Sequence, residues 1–250
     1  MSKVKALIIC GDGINCENET SRAFETAGGV SKIIHINDLI KNAKVIQDYQ
    51  ILALPGGFSF GDEINSGQIL GIKLKYHLID ELKEFIESKK LIIGICNGFQ
   101  ALVKLGLLAH PFEERIITLA QNENKQFINK WVRVRLNKNS QCLWTQNING
   151  DSFSVPIRHG EGRIVFKDNK DKYYQDLKNS GQIVLTYDSN VNGSYKEIAG
   201  VCDKSGSIFG LMPHPEAANF KNLYPYTEFK PNDLELIGQK IFNNGVNYFQ

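Results

Sequence analysis

The sequence predicts an α/β three-layer sandwich, with a mostly parallel central sheet between helices and an added β-rich insertion. Three observations predict it. Through the first half of the chain, short continuous apolar runs alternate with helix-like patterns, as expected of parallel strands joined by crossover helices. After about residue 112 the texture changes to short β-rich runs with no helix signal between them. No internal repeat, low-complexity tract or linker rich in Pro, Gly and Ser divides the 250 residues, so a single domain over residues 1–250 is the simplest organisation.

The elements follow in order. VKALIIC (4–10) is an uninterrupted apolar run, suited to a central strand buried on both faces. A helix pattern runs from about Glu17 to Ala27 and stops at Gly28-Gly29. VSKIIHI (30–36) reads as a second strand, with Asn37-Asp38 placed to cap the short segment after it. YQILALP (49–55) is a third, ending at Pro55-Gly56-Gly57. A helix over roughly 78–89 leads into the fourth strand, LIIGI (91–95). RIITLAQ, KWVRVRL, FSVPIRHG, RIVF and QIVLTYD then suggest an antiparallel or mixed β-insertion. SIFGLMP (207–213) supplies a last strand, and a terminal helix near 232–248 closes the domain.

Composition narrows the function classes. A formal net charge of +2 argues against nucleic acid as a main partner, because such binders carry a strong basic excess. The apolar stretch at the amino terminus is too short for a secretory leader, and no stretch approaches the roughly 18 apolar residues of a membrane span. A cytoplasmic protein with no membrane partner is expected. Its five cysteines, at 10, 16, 96, 142 and 202, are odd in number and lack CxxC spacing, so free thiols are expected and no metal site.

One cysteine stands out. Gly94-Ile95-Cys96-Asn97-Gly98 has the form G-x-nucleophile-x-G at a strand-to-helix boundary, the pattern of a nucleophile elbow with sulfur in place of oxygen. Such a turn strains the nucleophile's backbone, which demands small flanking residues, and exposes its side chain at the carboxyl end of the strand. The helix beginning there offers N–H groups that favour a thiolate and an oxyanion. Against this stands the plainer reading of Cys96 as a small buried hydrophobe beside a glycine-shaped turn. The elbow alone leaves both open.

A nucleophilic thiol needs a base, and the base an orienting group. Of the five histidines, His214 lies just past a buried strand in FGLMPHPE and is followed two residues on by Glu216. If that strand runs parallel to the one ending at Ile95, His214 and Cys96 share an edge of the sheet, and Cys96, His214 and Glu216 form a triad. The loop LPGGFSFGDEINSG (54–67) also follows a strand, and Gly57 in it can bring a second oxyanion donor beside the Asn97 N–H. Neither a Walker loop nor a G-x-G-x-x-G occurs, so no nucleotide site is expected here.

Together these pieces resemble the class I (triad) glutamine amidotransferases, which have a flavodoxin-like sandwich. The resemblance narrows to the glutaminase subunits of phosphoribosylformylglycinamidine synthase. It rests on GxNCE at 13–17, PGGFSFGD at 55–62, GICNGFQ at 94–100, FxxxWVRVR at 127–135, RHGEG at 158–162 and NGSxxxIAGVC…GLMPHPE at 192–216. The elbow and HPE are common to the class; PGGFSFGD and RHGEG are more particular. The match spans nearly the whole chain in the expected order.

The resemblance implies glutamine hydrolysis by Cys96, His214 and Glu216, with the N–H groups of Gly57 and Asn97 as oxyanion donors and Gln100 holding the substrate. It further implies that backbone near Asn122–Phe127 contacts the amino-acid end of glutamine and that His159 lines the mouth. Ammonia would pass to a large synthetase subunit, which uses ATP and magnesium to convert formylglycinamide ribonucleotide to its amidine. A third, small subunit would complete the assembly, and no cofactor belongs to this chain. The sequence departs from the family pattern at Asn65, Asn124, Gln126 and Ala217. The rival reading is a cysteine hydrolase, or a redox or chaperone protein, on the same scaffold, which needs neither HPE nor PGGFSFGD. A silent regulatory binder is the third, and retention of all three triad residues disfavours it.

Overall fold

The computed structural model describes residues 3–225 and 236–250; the part of the expected terminal helix at 232–235 lies outside them. In chain order the strands are β1 (Lys5–Cys10), β2 (Val30–His35), β3 (Ile51–Leu54), β4 (Leu91–Ile95), β5 (Ile117–Ala120), β6 (Ile128–Leu136), β7 (Ser152–His159), β8 (Arg163–Phe166), β9 (Ile183–Tyr187), β10 (Ile198–Cys202) and β11 (Ile208–Leu211). The helices are α1 (Glu17–Thr26), α2 (Ile36–Lys41), α3 (Gln68–Glu87), α4 (Asn97–Leu105), α5 (Lys170–Asn179) and α6 (Ile237–Asn247). Among the described residues no helix is long and apolar enough to cross a membrane.

Among the described residues, nine strands form one sheet in the order β2-β1-β3-β4-β11-β10-β9-β6-β7, and β5 with β8 makes a separate ribbon. From β2 to β11 neighbouring strands run parallel, and from β11 to β7 every pairing is antiparallel. This matches the expected mostly parallel α/β core. The chemistry of the strands follows their place. β1, β3 and β4 bury consecutive residues because both faces are covered. β6 instead alternates, with Val132, Val134 and Leu136 inward, while Arg133 and Arg135 reach out to Asp188.

Helices flank the sheet. α1 packs on α6 edge to face through Phe24 and Phe242, whose centroids are 5.0 Å apart. α3 packs on α4, and an added Cβ at Gly71 would meet Lys104 Cβ at 2.9 Å, so a residue without a side chain sets their separation.

Four details differ from the sequence reading. α3 begins at Gln68, about ten residues earlier than the pattern indicates, directly after left-handed Gly67 and with no side-chain cap. α5 sits inside the region read as purely β; it buries only Leu177 and therefore shows little apolar periodicity. IAGVC forms β10, which inserts between β11 and β9. The cap of α2 is His35, whose Nδ1 accepts from the Asn37 N–H at 3.2 Å, rather than Asn37 or Asp38.

Candidate active site

The elbow forms as its spacing requires. Cys96 lies between β4 and α4 with φ 50° and ψ −105°, a conformation that costs a residue bearing a Cβ. Its neighbours must be small for a measurable reason. A Cβ at Gly98 would fall 1.8 Å from the Leu54 carbonyl oxygen, and one at Gly94 would fall 2.5 Å from Leu102 Cδ1 and 2.7 Å from the Gly98 oxygen. Close approach of α4 to β3 and β4 is thus what seats the turn.

The base arrives through strand register. β11 lies parallel to β4 with Leu211 opposite Ile95, and the Cys96 N–H donates to the Leu211 carbonyl at 2.8 Å. His214 follows three residues later at the same edge of the sheet, with its N–H held by the Pro156 carbonyl of β7 at 2.9 Å. Its Nδ1 pairs with Glu216 Oε1 at 2.6 Å, and both side chains are buried. Burial is the largest single influence and disfavours the imidazolium, but the Glu216 carboxylate and the neighbouring Cys96 and Cys16 sulfurs together outweigh it and hold the His214 pKa well above the usual histidine range. His214 Nε2 has no well-aligned hydrogen-bond partner and sits in a cavity wall.

That cavity, of about 150 Å³, is lined by Asn15, Cys16, Gly57, Phe58, Cys96, Phe127, Asn129, Arg158 and His214. It is smaller than the roughly 300–1,000 Å³ of drug-sized sites, and so suits a ligand of amino-acid size. β7 roofs it: the Cys96 thiol lies 3.5 Å from the Arg158 carbonyl. Phe58 and Phe127, both exposed, stand at its rim with ring centroids 6.0 Å apart.

The donor side is built around a buried amide. Asn97 begins α4, so its main-chain N–H has no intrahelical acceptor. Its side chain accepts from Ser59 N–H at 3.0 Å and donates to Asp62 Oδ1 at 3.0 Å and Gln100 Oε1 at 2.9 Å. Asp62 also accepts from the Ser66 hydroxyl at 3.0 Å. Partial burial raises its pKa despite these donors. Phe60, Gly61 and Asp62 all have left-handed φ, which turns the Asp62 carboxylate inward under Asn97. Gly57 has φ 146° and no room for a Cβ, which would meet Gly13 O at 2.7 Å and Asn15 N at 2.8 Å.

A family model described as a CobB/CobQ-like glutamine amidotransferase domain matches residues 3–249. The chain belongs to this amidotransferase family. A Methanococcus maripaludis relative, phosphoribosylformylglycinamidine synthase subunit PurQ, is 44% identical over 98% of this chain and 97% of its own. The PurQ subunit of Dehalococcoides mccartyi is 40% identical over 99% and 98%. Among solved structures, a chain of PurLQS from Thermotoga maritima superposes with a TM-score of 0.78 at 32% identity, covering all of both chains. The chain is thus a glutamine amidotransferase resembling these subunits, as the motifs imply.

Within the amidotransferase the anticipated residues separate into two groups. Cys96, His214 and Gly57 line the cavity, with Glu216 behind His214. Gln100 does not line it: its side chain is spent on Asn97 and on the Glu161 carbonyl, the latter at 2.6 Å, and braces α4 against the 158–162 segment. His159 is buried rather than at the mouth; its Nδ1 meets Asn122 Oδ1 at 3.1 Å, while its neighbour Arg158 faces the cavity. Burial lowers the His159 pKa to about 3. Asn122 in turn binds the Gln126 carbonyl at 2.8 Å, so Phe127 reaches the cavity from a segment pinned to His159. Asn65, Asn124, Gln126 and Ala217 are absent from the cavity walls. Sequence reasoning gives no role to Cys16, Asp62 or Arg158, although each sits inside a quoted motif.

Proposed function

We propose that this amidotransferase hydrolyses glutamine and passes the ammonia to a synthetase subunit that makes formylglycinamidine ribonucleotide from formylglycinamide ribonucleotide. The observation that carries this reading is the meeting of Cys96, at the end of β4, with the buried His214–Glu216 pair past β11 across one small cavity. His214 takes the thiol proton as Cys96 attacks the side-chain carboxamide carbon, and Glu216 stabilises the imidazolium. N–H groups of Gly57 and Asn97 receive the developing oxyanion. The proton passes from His214 to the leaving nitrogen, ammonia departs and a thioester remains. Water, deprotonated by His214, then releases glutamate and restores the thiol. Glutamine and water are consumed; glutamate and ammonia are formed.

ATP and magnesium act on the synthetase subunit, and a third, small subunit joins the complex. The exposed Phe58 and Phe127 at the cavity rim fit a site whose mouth is covered by such a partner. Names of the relatives, PurQ and PurLQS, support this assembly. A cysteine hydrolase on the same scaffold is disfavoured by the family match over residues 3–249.

Two experiments test the reading. A glutamine-like diazo-ketone should label Cys96; mass-spectrometric adducts at Cys10 or Cys202 instead, or none with the synthetase subunit present, refute it. In the complex, Cys96→Ser should abolish glutamine-dependent synthesis and spare synthesis from free ammonia. Loss of both activities would indicate a structural cysteine.

A further inference from the structure

The cavity contains a second thiol for which the proposed hydrolysis has no use. Cys16 precedes α1 and lines the same wall as Cys96 and His214. Its chain position is fixed from two sides, by its N–H bond to the Gly56 carbonyl at 3.2 Å and by Thr20 Oγ1, which donates to the Cys16 carbonyl at 2.7 Å. Packing there is tight: a Cβ at Gly56 would lie 3.3 Å from Cys16 Sγ and 2.7 Å from His214 Cε1. The Cys16 thiol, a His214 ring nitrogen and a Glu216 oxygen all fall within 4.8 Å of one another. His214 Nε2 and Glu216 Oε2 lack a well-aligned hydrogen-bond partner, and each residue is about 98% buried.

Two sulfurs and an imidazole around one small cavity, with a carboxylate behind the imidazole, match the donor preferences of a borderline-soft divalent cation. We propose that Cys16, Cys96 and His214 form an inhibitory binding site for such a cation, with zinc as the type, Glu216 bracing the imidazole from behind. Zinc–sulfur and zinc–nitrogen bonds of about 2.3 and 2.0 Å put ligand atoms roughly 3.5 Å apart, so Cys16 and His214, already within 4.8 Å, need close by no more than about 1.3 Å, and Cys96 turns toward them across the same cavity by a rotamer change. Binding displaces the two thiol protons and leaves the fourth position to water. The cation then occupies the sulfur lone pair that attacks the amide and the imidazole nitrogen that carries its proton. Inhibition rests on the catalytic reading above; binding does not. The spacing of residues 16, 96 and 214 resembles no zinc motif, because the three converge only through the fold.

Cobalt(II) titrated anaerobically into the reduced, full-length chain reads the site without reference to activity. One equivalent should give a thiolate-to-cobalt charge-transfer band and the visible bands of a tetrahedral centre, both displaced by zinc. Cys16→Ala should weaken binding by about 100-fold or more, and Glu216→Gln by about 10–100-fold through loss of the brace. Cys10→Ala, which alters a thiol outside the cavity, should leave the spectrum unchanged. In parallel, one equivalent of zinc should slow diazo-ketone labelling of Cys96 by about tenfold or more in the native chain and far less in Cys16→Ala. A cobalt spectrum without thiolate bands, or bands that survive in both Cys16→Ala and Cys16→Ser, overturns the proposal. So does equal zinc protection in native and Cys16→Ala chains. Failure of labelling in the absence of metal would instead strike the catalytic reading and leave the cobalt result standing.

Discussion

Replacing Gly98 with alanine drives a methyl group into the contact that seats the nucleophile. The new Cβ would lie 1.8 Å from the Leu54 carbonyl oxygen, 2.5 Å from its carbonyl carbon and 2.8 Å from its Cβ. Carbon and oxygen in contact sit at about 3.3 Å, so α4 and β3 must part by roughly 1.5 Å. Neither side can yield by a rotamer change, since one partner is strand backbone and the other the first turn of a buried helix. Overpacking costs about 1–3 kcal/mol and more where backbone is involved, which puts this substitution near 3 kcal/mol. At about 2–4 °C per kcal/mol for a chain of this size, the melting temperature should fall by about 6–12 °C. Cys96 moves with α4, and a displacement of about 1 Å in a catalytic group costs on the order of 100-fold in rate. Thermal unfolding and the rate of Cys96 labelling by the diazo-ketone measure the two effects. Gly160→Ala is the control, because its Cβ would touch only Phe127 Cδ2 at 3.9 Å. A Gly98→Ala protein that melts within about 2 °C of the native one and labels at the native rate would refute the argument.

Glu216→Gln keeps the shape beside His214 but removes the charge that stabilises the imidazolium. Glutamate release by the complex should drop about a thousandfold or more in kcat with little change in KM, while ammonia-dependent synthesis persists. Asp62→Ala strips the acceptor from Asn97 Nδ2 and the Ser66 hydroxyl; labelling of Cys96 should slow by about 10–100-fold, and Asp62→Asn should recover part of it. His159 carries a pH signature. Its pKa falls from 6.5 to about 3 on burial, so between those values the unfolded chain holds a proton that the folded chain lacks. Stability therefore declines as pH drops through that window, by about 3 kcal/mol at pH 4 relative to pH 7 from this group. Denaturant midpoints at both pH values should show that decline, and His159→Gln should remove it.

Much of this architecture is legible locally. Where both faces of a strand are covered, burial imposes an unbroken apolar run, so β1, β3 and β4 stand out in the sequence. The elbow is legible because only glycine fits at 94 and 98, and HPE because the segment following a buried strand sits at a sheet edge. α5 is not legible: a surface helix with one buried side chain has almost no periodicity to detect. Nor is the start of α3, where the first turn follows left-handed Gly67 and carries no capping side chain.

The strand–turn–helix around Cys96 and the neighbourhood of His214 and Glu216 are written into local sequence, since these depend on steric limits acting over a few residues. What meets across the cavity is set by packing between distant segments. The parallel register of β4 with β11 sets His214 at the edge that carries Cys96, and β7 folds over so that the Arg158 carbonyl faces the thiol. Gln100 turns to Glu161 instead of the cavity, and Cys16 enters from the loop before α1. Each is a contact between segments far apart in the chain. Side-chain direction there follows from which buried hydrogen bonds remain to be satisfied, and only the packed fold determines that.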